Sequence, residues 1–151
     1  MADVHDTAAR RLRAVGQRYT SGRQAVVDVL AGAKSPLTIP EVVAQGRRIP
    51  QSSAYRSLAV LEQAGVVRRI LTSGDFARFE LAEDLTEHHH HLICASCGGV
   101  EDFTVPPAFE RSLVRAVRDV EDATGFAAAH HRLDLVAHLD DAVLTHSQLR
   151  W

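Results

Sequence analysis

Ser52-Ser53-Ala54-Tyr55-Arg56-Ser57-Leu58-Ala59-Val60-Leu61-Glu62-Gln63-Ala64-Gly65 is the stretch on which the fold turns. Ala54, Leu58 and Leu61 fall at i, i+4 and i+7, the spacing that lines one face of a helix. Ser52, two residues after Pro50, stands where an N-cap is expected, and Gly65 where a helix ends in the left-handed conformation. The opposite face shows Ser53, Tyr55 and Arg56. Two β-rich runs follow, at 66–71 and 76–81, separated by Thr72-Ser73-Gly74-Asp75, a turn composition, so they read as a two-stranded hairpin.

Upstream, Thr20 and Ser21 are placed to cap a helix carrying Ala25, Val26, Val29 and Leu30 on one face. Thr38 with Glu41 has capping-box spacing in front of Val42 and Val43. Short helices closed by a hairpin predict a winged helix-turn-helix over residues 1–83, the first part of an α+β chain. The 52–64 helix would enter the major groove, with Tyr55 against a thymine methyl or a phosphate and Arg56 on a phosphate or a guanine. The same pattern also fits an amphipathic helix on which Tyr55 and Arg56 are plain surface.

Downstream, His88-His89-His90-His91-Leu92-Ile93-Cys94-Ala95-Ser96-Cys97-Gly98 runs into an apolar strand pattern. An extended backbone sends alternate side chains to opposite faces, so His88 and His90 point one way while His89 and His91 point the other. One run can therefore supply two metal sites, and the C-x2-C pair of Cys94 and Cys97 belongs to the vocabulary of structural zinc. A solvated histidine tract is the plain alternative. Residues 82–87 are polar and read as a hinge, and 100–105 as a second strand. Pro106-Pro107 starts a helix with Phe109, Leu113, Val117 and Val120 in a stripe, and Gly125 ends it. Residues 131–139 alternate as a third strand, with His131 on the face of Leu133 and Leu135. Glu110 precedes Leu113 by three residues and shares the inward helix face. A unit of ~65 residues buries little surface alone, which favours a homodimer.

The 151 residues and 46% hydrophobic content suit one ordinary domain or two small ones. No apolar run approaches the ~18 residues that span a bilayer, and Met1-Ala2-Asp3-Val4-His5-Asp6 lacks an apolar signal core, so a cytoplasmic protein without a membrane partner is expected. With two cysteines there is no disulfide framework, and the pair reads as metal-binding more than as a redox couple, whose βαβ surroundings are missing. Charge divides the chain. Residues 1–82 carry twelve basic and seven acidic groups, and residues 83–151 five basic and twelve acidic. A basic half suits a polyanion, and an acidic, histidine-rich half suits cations.

Five motifs, Gly16-Gln17-Arg18-Tyr19-Thr20-Ser21-Gly22-Arg23, Ser53-Ala54-Tyr55-Arg56-Ser57-Leu58, Ala64-Gly65-Val66-Val67, Phe79-Glu80-Leu81 and the His88 to Gly98 run, together resemble the ferric uptake regulator family in order and spacing. The resemblance implies a homodimeric, metal-dependent transcriptional repressor that binds palindromic double-stranded DNA. It implies a winged-helix domain over 1–83, a hinge over 84–87 and an α/β metal-binding dimerisation domain over 88–151. Arg18 and Arg23 match family positions near the DNA backbone and minor groove, and Tyr55 and Arg56, beside Ser53, match the recognition helix. Glu80, His89 and His91 match the regulatory site between domains, to which Asp102 can add a carboxylate. His88, His90, Glu110 and His131 match a second site. Divalent Zn2+, Fe2+ or Mn2+ is the implied cofactor.

The sequence departs from that family in several places. Gly22 stands where a proline is usual, Ser35-Pro36-Leu37 occupies the region of a histidine that often joins the regulatory site, and Ala82 replaces a cysteine of zinc-type regulators. The second C-x2-C is replaced by His138-Leu139-Asp140-Asp141-Ala142. Cys94 and Cys97 alone cannot complete a tetrahedral site, so His138, Asp140, Asp141 or His146 fills it or it stays empty. Control of iron or zinc uptake is the leading expectation and peroxide sensing within the same family the alternative. A metal-dependent hydrolase lacks any recognised catalytic spacing, and a metal-storage module leaves the basic helix unexplained.

Overall fold

The computed structural model describes residues 3–47, 49–72 and 77–138. Most of the expected turn, Phe76, and the candidate ligands Asp140, Asp141 and His146 lie outside them. The chain opens with α1 (Val4–Ala14), where the Asp3 side chain accepts from the His5 backbone N–H, and continues with α2 (Ser21–Gly32), capped by Thr20 through the Arg23 backbone N–H. The first strand, β1 (Leu37–Thr38), leads directly into α3 (Ile39–Gln45), where Thr38 and Glu41 form the expected capping box. The recognition-type helix is α4 (Gln51–Gln63), followed by β2 (Val67–Ile70) and β3 (Arg78–Leu81). Gly65, at φ 72°, turns the chain from helix to strand in a region that residues with a Cβ avoid.

Two expectations are corrected here. Pro50, not Ser52, is the N-cap of α4, and no side chain caps that end. Proline pre-sets the extended backbone and the helix begins directly behind it, which leaves Ser52 inside the first turn. The hairpin is also not two-stranded, because β1 pairs antiparallel with β3 to give a sheet ordered β1-β3-β2. Leu12, Val26, Val27, Val42, Ala54, Leu58, Leu61 and Val66, all nearly inaccessible, form the core between this sheet and the helices. Each large aliphatic there contributes about 1.5–3 kcal/mol by leaving water.

A one-turn helix at Glu83–Leu85 precedes the second sheet. That sheet contains β4 (His90–Cys94), β5 (Val100–Phe103) and β6 (Asp134–Ala137) in the order β5-β4-β6, with β4 antiparallel to β5 and parallel to β6. The crossover is α5 (Pro107–Thr124), which ends at Gly125 with φ 73° as expected. The third strand begins at Asp134, so His131 precedes it rather than belonging to it. Ile70 of the first sheet packs with Ile93 and Val100 of the second, and Arg78 Nε donates to the Gly98 carbonyl at 3.0 Å. No residue of α5 is buried, and Phe109, Val120, Leu135 and Val136 remain largely exposed. Among the described residues no helix is long and apolar enough to cross a membrane.

Candidate metal centres and nucleic-acid interface

The histidine run divides into two groups, as alternation along an extended chain requires. Glu80, His89, His91 and Asp102 each offer one ligand atom, all within 4.8 Å of one another, and so do His88, His90, Glu110 and His131. The first group bridges the sheets, since Glu80 lies on β3, His91 on β4 and Asp102 on β5, opposite His91 in register. The second draws on β4, on the first turn of α5 and on the segment before β6.

In the first group the Nε2 atoms of His89 and His91 lie 3.1 and 3.2 Å from Glu80 Oε2. Asp102 lies 3.7 Å from His89 and 3.8 Å from His91, too far for hydrogen bonds. Each imidazole has an acceptor behind it. His89 Nδ1 donates to the Glu87 carbonyl at 2.8 Å, and His91 Nδ1 faces Asp134 Oδ1 at 3.5 Å. Metal-ligating histidines are commonly oriented by such outer acceptors. His91 Nδ1, Asp102 Oδ1 and Asp134 Oδ1 are nonetheless buried without a hydrogen-bond partner. Polar groups left so are costly, and oxygen and nitrogen donors converging on one point suit a divalent cation.

The electrostatics reflect that convergence. Burial pushes Glu80 upward, but hydrogen bonds from His91 and His89 and the charge of Arg68 outweigh it and bring the carboxyl down to about 2. Asp102, raised by burial and by Glu80 against the pull of His89 and His91, reaches about 6. Burial opposes the charged form of His89, but the Glu87 carbonyl and the Glu80 and Asp102 carboxylates hold it above its ordinary value.

The second group is more open. His90 is buried, with Nε2 3.0 Å from Glu110 Oε2, while His131 Nε2 lies 2.5 Å and His88 Nε2 3.2 Å from Glu110 Oε1. His90 Nδ1 has no hydrogen-bond partner. Glu110 lies below its usual range, because hydrogen bonds from His90 and His131 and the charge of His88 outweigh its slight burial.

Cys94 is buried and Cys97 exposed, and among the described residues neither joins a group of three candidate ligands. Cys97 Sγ instead accepts from the Gly99 N–H at 3.3 Å in a tight turn. The Ala95 N–H donates to the Ala137 carbonyl at 2.8 Å, so the strand leading to His138 ends beside this turn.

Tyr55 and Arg56 are exposed on α4, and Ser53 is half-buried. Arg18 is exposed on a braced turn: Arg23 donates to its carbonyl and, at 3.2 Å, to Gln17 Oε1. The Tyr19 hydroxyl lies 2.6 Å from His5 Nδ1, whose other nitrogen is 3.0 Å from Asp28. Arg23 thus braces the turn on which Arg18 is exposed. A cleft of about 900 Å3, lined in part by Arg10, Arg11, Ser35, Glu80 and His89, runs between the helices and the first group. The residues overlooked in the sequence are Arg68, which contacts Glu80 of the first group, Glu83, which joins Arg68 to His88 of the second, and Asp134, which backs His91.

The profile of the ferric uptake regulator family matches residues 14–136. The chain is 29% identical over 132 residues to the peroxide operon regulator of Bacillus subtilis, covering 85% of this chain and 86% of that protein. It is 30% identical over 128 residues to the peroxide-responsive repressor PerR of Staphylococcus epidermidis, covering 82% and 80%. Its fold superposes with TM-score 0.65 and 26% identity on the ferric uptake regulator of Pseudomonas aeruginosa with manganese, over 86% of this chain and 96% of that one. A winged-helix half followed by a small α/β half defines the class, a two-part transcription regulator. Within that class, the chain belongs to the ferric uptake regulator family.

Proposed function

We propose that this protein is a metal-responsive transcriptional repressor, acting as a homodimer on palindromic DNA, with residues 1–83 as the DNA-binding part, 84–87 as the hinge and 88–151 as the dimerisation part. The observation that carries the reading is the Glu80 group, whose four ligand atoms come from both sheets. A bound divalent ion supplies one positive centre on which two carboxylates and two imidazoles converge. Glu80 then ties the hairpin to β4 and β5, and Arg18, Ser53, Tyr55 and Arg56 are held at the spacing that two successive major grooves present to a dimer. His88, His90, Glu110 and His131 hold a second ion within the C-terminal half. The exposed apolar faces of α5 and β6 suit a second copy of the chain.

The donor set is nitrogen and oxygen alone, which accommodates Fe2+, Mn2+ and Zn2+. Control of metal uptake genes is the leading role. A peroxide-responsive role is the second, supported by the two peroxide regulators at 29% and 30% identity. Binding to the promoter of the protein's own gene, measured with chelator, Mn2+, Zn2+ or Fe2+ and then after hydrogen peroxide, tests both. Tight binding only with metal is expected. Binding that ignores metal sinks the repressor mechanism, and loss of binding after peroxide with Fe2+ but not with Mn2+ selects the peroxide role.

A further inference from the structure

Arg68 stands between the two groups and belongs to neither. It lies on β2 directly opposite Glu80 on β3, and its Nε donates to Glu80 Oε1, the oxygen turned away from the histidines. Its Nη1 donates to Glu83 Oε2 at 3.3 Å. The other oxygen of Glu83 accepts from His88 Nδ1 at 2.6 Å, and His88 Nε2 faces Glu110 Oε1 at 3.2 Å. A continuous chain of hydrogen bonds and one close imidazole–carboxylate contact therefore runs from the Glu80 group to the Glu110 group. Most of it is shielded from water, since the side chains of Arg68 and Glu83 are 21% and 20% exposed and that of Glu80 only 9%.

We propose that Arg68 and Glu83 form a positioning bridge that couples the two clusters, so that an ion held by one raises the affinity of the other. The proposal rests on the metal-binding reading above. The planar guanidinium presents its donors in a fixed fork, so its bond to Glu80 and its bond to Glu83 cannot be set independently. By occupying Oε1, Arg68 leaves Glu80 only Oε2 to offer, a one-oxygen ligand of defined direction. Glu83, held by Arg68, then fixes the ring plane and the Nδ1–H tautomer of His88, which leaves the Nε2 lone pair free to ligate an ion beside Glu110. Ordering at either end is thereby completed in advance for the other, and such coupling is reciprocal. Arg68 and Glu83 touch no ion themselves; each acts through a ligand.

Zn2+ titrations of the full chain against a competing chromophoric chelator test this. The set comprises wild type, His131→Ala, Arg68→Lys and the double variant. Lysine keeps the charge of Arg68 and loses the fork. His131→Ala, which disables the second cluster, is expected to lower the affinity of the Glu80 cluster about five-fold or more. In the Arg68→Lys background the same change is expected to leave it unaltered. Glu83→Gln, whose NH2 replaces one of the two oxygens that separately accept from Arg68 and His88 and so turns a donor toward one of them, should abolish the coupling in the same way. It serves if Arg68→Lys fails to fold, as thermal unfolding in chelator reports. Undiminished coupling in both bridge variants, or no coupling in a wild type that fills both clusters, overturns the bridge. No Zn2+ at either cluster overturns the metal-binding reading and the bridge with it.

Discussion

The two clusters share a four-histidine run yet differ in what they connect. The Glu80 cluster takes ligand atoms from two sheets and contains two carboxylates. The Glu110 cluster lies wholly in the second half, has one carboxylate among three imidazoles, and is partly open to water. On the proposed reading, filling the first ties the two sheets together directly, whereas the second reaches the first half only through Glu83 and Arg68. Alternation along a few residues is thus enough to give neighbouring histidines different work.

The sharpest way to break that contrast is to remove one ligand from each side. Glu80→Ala or His89→Ala is expected to abolish metal-induced operator affinity, while His88→Ala or His131→Ala lowers thermal stability or shifts the metal response and retains regulated binding. Metal titration followed by DNA binding for each variant decides it, and indistinguishable behaviour of the two pairs would end the division of roles. A change on the DNA side should leave both clusters alone. Arg56→Ala is expected to weaken operator binding by about 1–3 kcal/mol if it meets a base, with metal content unchanged.

Within the Glu80 cluster the two carboxylates should separate by pH. Asp102, at about 6 when folded, binds its proton more tightly than in the unfolded chain. Its contribution to the stability of the metal-free protein is therefore complete below about 4 and lost as pH rises through about 6. Glu80, at about 2, has the opposite sign: its contribution is present above its ordinary value of 4.5 and is lost as pH falls toward 2, so the loss as pH rises through about 6 belongs to Asp102. Thermal unfolding in chelator should show this loss in wild type and not in Asp102→Asn, and metal-induced stabilisation should grow over the same range as the proton leaves. Parallel curves for the two proteins would reject the assignment. The smallest effect is expected at the knuckle. Cys94→Ser with Cys97→Ser should release no zinc and leave dimerisation and repression intact, because no third ligand joins the thiols among the described residues. Elemental analysis showing one zinc per chain lost in the double variant would reverse that expectation.

Signals confined to a few neighbouring residues were readable in the sequence. The Thr38 and Glu41 box, the glycines that end α4 and α5, and the two-residue period of the histidines each follow from local geometry. Long-range pairing was not readable. Strand β1 spans two residues, too few for any periodicity, and exists because β3 offers it a partner. Arg68 reads as an ordinary charged strand residue until the register sets it across from Glu80, and Glu83 looked like part of a polar hinge. Alternation continues across His131 and so predicts strand there, although pairing, in which the His91 N–H donates to the Leu133 carbonyl, begins only beyond it.

The bare apolar surface of α5 and β6 has a consequence for the cell as well as for the fold. If a second chain covers it, the stability of the C-terminal half obeys mass action, and its unfolding midpoint climbs with protein concentration. A repressor of this kind responds to two quantities at once, the free metal ion and its own abundance. Gene dosage or proteolysis then resets the metal level at which its promoters open, with no change to any ligand.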